Sequence, residues 1–368
     1  MKLICDKSEL TRALNIVSKA IPVKTTMSIL QCVMINAETN DIHLIANDME
    51  LGIDTAVSGR IEERGFVAVE SRLFYDIIRK LPDGDVHITT EGENVTITSD
   101  KIKFKVVGRG SEEFTYLPDV PTNEGFSISQ FTLKSILLQT LFSTVESDTN
   151  RMMSGELFEL ADDMLSVVSL DGHRISVRRV LLADNFGNKK VVVPGKALTE
   201  ISRILSDSTE DMADVYYTDK HIMFSFDRTI IVSRLLEGEF YKIDQMFSEE
   251  YETSMSVNRR DLLECLDRTT LFVRENEKKP VILNISDDGV DIRIQSPLGS
   301  MDETVSINKS GKDLVIGFNP KFLMDALKAI DDETVDFYFV NSKAPCYIRD
   351  NDRSYSYLIL PVNIKVVD

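Results

Sequence analysis

Tryptophan is absent from the 368 residues, and histidine and cysteine occur four times each. His43, His87, His173 and His221, and Cys5, Cys32, Cys265 and Cys346, are scattered, with no Cys-x-x-Cys pair and no spacing that holds zinc. Thiols so far apart form no disulfide framework and read as small apolar core residues in a reducing, cytoplasmic compartment. No stretch approaches the ~20 apolar residues of a membrane span, and the start Met1–Asp6 predicts no secretory signal. Gly-x-Gly-x-x-Gly and Gly-x-Ser-x-Gly are missing, and Asn308–Lys312 lacks the first glycine and the hydroxyl residue of a phosphate-binding loop. These absences exclude the common nucleotide-dependent and hydrolytic machineries and predict no catalytic residue, no metal and no cofactor. One string keeps an acid/base reading open. In Ser169–Ile175, Asp171 and His173 could serve a hydrolase or transferase, although a tight turn opening a strand is the commoner use of such residues. Positive charge is also short: 42 Lys and Arg face 60 Asp and Glu, a net charge of −18. On average, that is the wrong sign for a nucleic-acid partner.

What is present is repetition. Val69–Leu81, Val193–Leu205 and Phe318–Ile330 begin 124 and 125 residues apart, and each reads as a strand end, a short turn and a helix. Apolar residues at i, i+4 and i+8 mark one buried face: Leu73, Ile77 and Leu81; Ala197, Ile201 and Leu205; Phe322, Ala326 and Ile330. Glu70-Ser71, Pro194-Gly195 and Asn319-Pro320 read as helix starts. Acidic turns and alternating strands come after each helix. A second set of helices, 8–20, 129–142 and 258–271, precedes these and carries Leu10 and Leu14, Leu133 and Leu137, and Leu262 and Leu266 at matching places. The expectation is an α+β chain of six strand–helix–three-strand units paired into three domains, 1–121, 122–250 and 251–368.

The basic residues track this repeat. Arg72, Lys196 and Lys321 hold one aligned position, and Arg79, Arg203 and Lys328 hold another seven residues on, close to two helical turns and so on the same face. The six helical segments, taken as 7–20, 71–80, 129–142, 196–206, 258–271 and 320–330, together hold fourteen basic and seven acidic residues, whereas the remainder holds 28 and 53. Surface lysine placed for solubility would account for one such helix more easily than for six. A shared positive face on a negative body attracts a polyanion, and with no base-reading element in sight it would meet phosphates without regard to sequence.

Leu170–Ile175 (Leu-Asp-Gly-His-Arg-Ile), Leu235–Phe240, Ile316–Asn319 and Tyr357–Val362, together with the threefold repeat, make the chain resemble the bacterial DNA polymerase III beta subunit, the sliding clamp family, over essentially its full length. The resemblance implies the DNA clamp fold, with helices lining a ring and sheets outside. It also implies a head-to-tail homodimer around duplex DNA, a processivity role for the replicative polymerase, and an ATP-driven loader acting from outside. Further DNA contacts carried over are Lys24 and Arg151. The dimer edges carried over are Lys101, Lys103, Phe104 and Val106 on one side and Phe272, Val273, Asp302 and Glu303 on the other, with complementary charge. A hydrophobic cleft for short extended peptides of the polymerase, the loader and other partners maps to Met153, Leu170, Gly172, His173, Arg174, Ile175, Pro345, Leu358, Ile359, Leu360, Pro361 and Val362. The resemblance places the work at the nucleoid in the cytoplasm. The chain departs from the family at Tyr241, where proline is usual, at Asp244 and Gln245, where basic residues are usual, at the 150–154 loop, which lacks paired aromatics, and at 362–368, a longer ending with Asn363 in place of arginine. Two readings stay open beside this one: the Asp171/His173 enzyme and a ring scaffold that never meets DNA.

Overall fold

A computed structural model describes residues 1–110, 114–145, 150–273 and 279–364; the last four residues of the long C-terminal ending lie outside them. Six α-helices, each preceded by a strand, stand among the described residues: α1 (Lys7–Val17), α2 (Ser71–Lys80), α3 (Gln130–Thr140), α4 (Gly195–Ile204), α5 (Arg259–Thr269) and α6 (Pro320–Ala329). Side chains fix several of the starts. Asp6 accepts the backbone N–H of Ser8, Glu70 those of Arg72 and Leu73, Asn258 those of Arg260 and Asp261, and Asn319 that of Lys321, with Pro320 at the first helical position. None of the helices is long and apolar enough to cross a membrane.

The chain falls into two compact units, Met1–Lys134 with Ala197–Leu235, and Ser135–Lys196 with Leu236–Asp368. The first holds a five-stranded sheet, ordered Gly59–Glu63, Lys2–Asp6, Asp85–Glu91, Asn94–Ser99, Ile102–Val107. It also holds an eight-stranded sheet in which Thr229–Arg234 lies antiparallel to Leu51–Val57, Thr229 opposite Thr55. The hydroxyls of that pair meet at 2.7 Å in the interior. The second unit repeats the device. In its nine-stranded sheet Arg174–Leu181 pairs with Tyr355–Ile359, and a four-stranded sheet runs Gly299–Val305, Gly289–Ser296, Val281–Ser286, Leu314–Phe318. Alternating strands turn one face to the helices. All four cysteines are buried, and burial pushes the thiols of Cys5 and Cys265 up to about 12.

The expected apolar stripe needs correction at its first position. Ala197, Ile201, Leu205, Ala326 and Ile330 are buried, as are Ile77 and Leu81, but Leu73 is 48% exposed, with Phe74 taking its place in the core, and Phe322 at the equivalent position is only half-buried. The buried arc in α2 is Phe74, Ile77 and Ile78, centred one position on, because a stripe of period 3.6 drifts against a strict i, i+4, i+8 count.

One core position breaks the repeat. Val33, Glu156 and Val281 occupy equivalent places, each paired with the residue two before the next helix: Val69, Val193 and Phe318. All three are fully buried, yet the middle one is a carboxylic acid whose oxygens accept no hydrogen bond. Its polar neighbour, the Thr140 hydroxyl, donates to the carbonyls of Ile136 and Leu137. Desolvation pushes Glu156 up to about 8 from the usual 4.5. The native state therefore holds a proton that the unfolded chain releases, and the stability this contributes is complete below pH 4.5 and lost as pH rises through 8. The expected slope is up to ~1.4 kcal/mol per pH unit in that window. Glu156→Val should flatten it and stabilise the protein at pH 8 by about 1–3 kcal/mol, measured by urea unfolding from pH 5 to 9.

Candidate functional site

The turn that the sequence singled out is built twice. Asp171 accepts the backbone N–H groups of His173 (2.9 Å) and Arg174 (3.0 Å), and Asp48 accepts those of Glu50 (3.0 Å) and Leu51 (2.7 Å). The residue after each aspartate is left-handed: Gly172 at φ 83°, which glycine adopts freely, and Met49 at φ 77°. Asp171 is therefore a turn-maker at an ordinary place in the repeat, and its carboxylate meets His173 through the backbone N–H.

Where the first copy has Leu51, the second has Arg174, 7% exposed. Its Nε donates to Asp171 (2.9 Å), one Nη to Asp325 of α6 (2.7 Å) and the other to the carbonyl of Phe142. Its guanidinium lies over the Phe322 ring at 4.5 Å and the Phe142 ring at 5.1 Å. The His173 ring stacks on Phe322, centroids 5.9 Å apart, and the His173 carbonyl accepts the N–H of Leu360 (2.9 Å). Arg174 thus fixes the turn against α6 and the C-terminal segment, and two carboxylates and a carbonyl already engage its charge.

Beside this hub lies an apolar cluster of Leu157, Val168, Leu170, Ile175, Val177, Val192, Ile243, Tyr347 and Leu358, against which Met152, Met153, Leu236, Phe240 and Phe247 pack half-buried. Of the expected cleft residues, Leu170, Ile175, Leu358 and Met153 come together here. Leu358 faces this cluster, whereas Ile359, next on the strand, is buried in the core under α5 and α6. Leu360 is exposed, Pro345, Pro361 and Val362 are half-buried, and the Val362 N–H donates to Gly317 (2.8 Å). The exposed ring of Tyr241 packs edge-on against Phe240 and its hydroxyl meets Asn150. Sequence reasoning missed Phe142, Phe322, Asp325, Ile243 and Phe247. Phe322 carried a signal, being the bulkiest residue at the position shared with Leu73 and Ala197; Asp325 aligns with Asp76 and Glu200 and so reads as an ordinary acid of the repeat, and Phe142, Ile243 and Phe247 have no motif of their own.

Lys24, Arg72, Arg79 and Arg203 are exposed on the first unit, and Arg151, Lys196, Lys321 and Lys328 on the second. Arg79 pairs with Asp76 (3.2 Å) and Arg203 with Glu200 (2.6 Å), exposed contacts of little strength. Lys101 and Lys103 are exposed at the strand Ile102–Val107, the last of the five-stranded sheet, where Phe104 and Val106 are half-buried. Asp302 and Glu303 lie on Gly299–Val305, the last strand of the four-stranded sheet, with Phe272 and Val273 half-buried at the end of the α5 segment. The ideal Cβ of Gly299 would lie 3.1 Å from the Phe272 ring, so the absent side chain gives that ring room. Asp302 is paired with Arg293 (2.8 Å) and Glu303 with Arg268 (2.8 Å), so this edge is less acidic than the sequence suggests. Among the described residues no cluster of His, Cys, Asp or Glu is placed to hold a metal ion.

Three family models match the chain: the DNA polymerase III beta subunit N-terminal domain over residues 1–118, its central domain over 127–242 and its C-terminal domain over 244–363. A beta sliding clamp of Staphylococcus epidermidis is 34% identical over 361 residues, covering 95% of this chain and 96% of that protein, and one of Staphylococcus aureus is 33% identical over the same span. A putative DNA polymerase III beta subunit from Eubacterium rectale superposes with a TM-score of 0.97 at 52% identity over 99% of both chains. The DNA polymerase sliding clamp of Bacillus subtilis superposes with a TM-score of 0.96 at 28% identity, over 99% of this chain and all of that one.

The Arg174 hub has a measurable weight. Arg174→Ala leaves Asp171 and Asp325 without their shared counter-charge, and the expected loss is about 3 kcal/mol or more in chemical denaturation. Arg174→Ala combined with Asp325→Ala should recover part of that loss.

Proposed function

The chain belongs to the DNA polymerase III beta subunit family, the beta sliding clamps, and from this we propose that two copies join head to tail into a ring that encloses duplex DNA. As a member it is a non-catalytic processivity factor with the three-domain clamp fold. The observation that carries the ring is an asymmetry in strand pairing. The third strand of one repeat pairs with the third strand of another at Thr229–Arg234 with Leu51–Val57, and again at Arg174–Leu181 with Tyr355–Ile359. The two strands left over in that scheme, Ile102–Val107 and Gly299–Val305, each end a sheet. Edges with unpaired backbone groups recruit a partner strand, and these differ from each other. Their contact is therefore heterologous and closes into a ring when the rotation fits.

Within that ring, Lys24, Arg72, Arg79, Arg151, Lys196, Arg203, Lys321 and Lys328 supply contacts to phosphates. Such contacts are sequence-independent and salt-sensitive, and they suit sliding because topology does the holding. The apolar cluster beside the Asp171–Arg174 turn receives short extended peptides of the replicative polymerase, the clamp loader and other partners, with Leu170, Ile175 and Leu358 as its floor. Because both carboxylates around Arg174 outweigh its charge, a peptide group reaching that end should be neutral or cationic. The domain boundaries that go with this reading are 1–121, 122–250 and 251–368, and the place of work is the cytoplasm, at the nucleoid.

The ring is tested by retention. The protein should stay on nicked circular duplex and leave linear duplex by its ends; equal retention on both forms overturns encirclement. Its solution mass should lie near twice 41.6 kDa. Lys101→Glu with Lys103→Glu, which sets acids against the Asp302 and Glu303 edge, should raise the dimer dissociation constant at least tenfold, read by analytical ultracentrifugation.

A further inference from the structure

The apolar cluster has a wall that no regular element supplies. Residues 236–252 run from the end of strand Thr229–Arg234 to the start of strand Thr253–Asn258 with only a short 3-10 turn at Asp244–Met246, yet Leu236, Phe240, Ile243 and Phe247 from this segment all pack on the cluster. A segment without its own hydrogen-bond ladder keeps such a place only if something else holds its backbone.

At its ends the segment is pinned by the N–H groups of Leu236 and Glu252, which donate to the carbonyls of Val192 and Phe339 (2.9 Å each); between them, most of the holding groups come from the strand Cys346–Arg349. The Tyr347 hydroxyl donates to the carbonyl of Met246 (3.2 Å), and the Tyr347 ring lies 6.0 Å from that of Phe247. Arg349, 4% exposed, donates to the carbonyl of Ser248 (3.0 Å) and reaches Glu249 at 3.6 Å. Its guanidinium lies over Tyr338 at 4.7 Å, and that ring packs on Tyr251 at 4.9 Å. Arg353 also grips Glu249. A buried arginine whose donors end on a backbone carbonyl of an otherwise irregular segment has one evident use, which is to set where that segment lies.

We propose that Arg349 is a positioning residue for the peptide cleft, fixing the 243–251 segment as its wall by tying Ser248 and Glu249 to the strand that carries Tyr347. The inference rests on the peptide-cleft reading of the apolar cluster. Arg349 touches no peptide itself. It acts through Phe247 and Ile243, whose side chains stay seated only while the backbone behind them is held.

The test uses the full-length protein and a fluorescein-labelled nonapeptide with a glutamine lead and two leucine anchors, at a temperature well below unfolding. Arg349→Met should weaken peptide binding about tenfold or more by fluorescence anisotropy and speed amide hydrogen exchange across 244–251. Dimer mass and retention on circular DNA should not change. Arg349→Lys keeps the charge and one donor but loses the flat stack on Tyr338, and should recover part of the affinity. Peptide binding by Arg349→Met equal to that of the unaltered protein overturns the proposal, as does an equal loss of dimer mass and DNA retention, which would mark a general structural role. Failure of the unaltered protein to bind the peptide overturns the cleft reading itself, and unchanged exchange across 244–251 in Arg349→Met overturns the positioning role independently.

Discussion

Backbone pairing between the edges of neighbouring sheets is the interaction on which the rest depends. A strand edge is a row of donors and acceptors that must be met. In this chain, two such edges are met by the equivalent strand of another repeat, once in each compact unit. The second of these joints also builds the candidate site. Because Arg174–Leu181 lies against Tyr355–Ile359, Ile175 and Leu358 fall opposite each other, and the loop that opens the first strand is brought against α6. The apolar cluster and the Arg174 hub are thus by-products of a joint whose first task is to close a sheet.

Repetition made much of this readable from the residues. Helix positions, their capping residues, the buried faces and the aligned cations all come from local rules applied three times over. Two kinds of feature stayed hidden. Leu73 shows that a periodic count locates a helix face to within one residue and no better, since 3.6 does not divide evenly. Arg174 shows a deeper limit. Its place in the sequence motif suggested a group offered to a ligand, yet Asp325 lies 151 residues away and Phe322 on the same distant helix. No local pattern announces a partner supplied by tertiary packing. The acids at 302 and 303 make the same point, because their arginines, 293 and 268, come from other elements.

Specialisation here takes the form of single departures from a shared plan. The turns at Asp48 and Asp171 share hydrogen bonds and handedness and differ three residues past the aspartate, where one has a leucine and the other a buried arginine. Glu156 is a carboxylic acid where its two counterparts are valines. Arg349 is a buried arginine that donates to the carbonyl of Ser248 in an irregular segment, the segment that forms a wall of the proposed cleft.

The strand joints differ in one further respect: covalent connectivity. A joint between two segments of one chain that separates for a moment faces its mate again at the effective concentration set by the intervening polypeptide, so it recloses as a unimolecular event. The edges at Ile102–Val107 and Gly299–Val305 have no such tether on the proposed ring. Any agent that pries the assembly apart, whatever force it uses, would find its lasting opening there, while breaks elsewhere would heal before a double helix could pass.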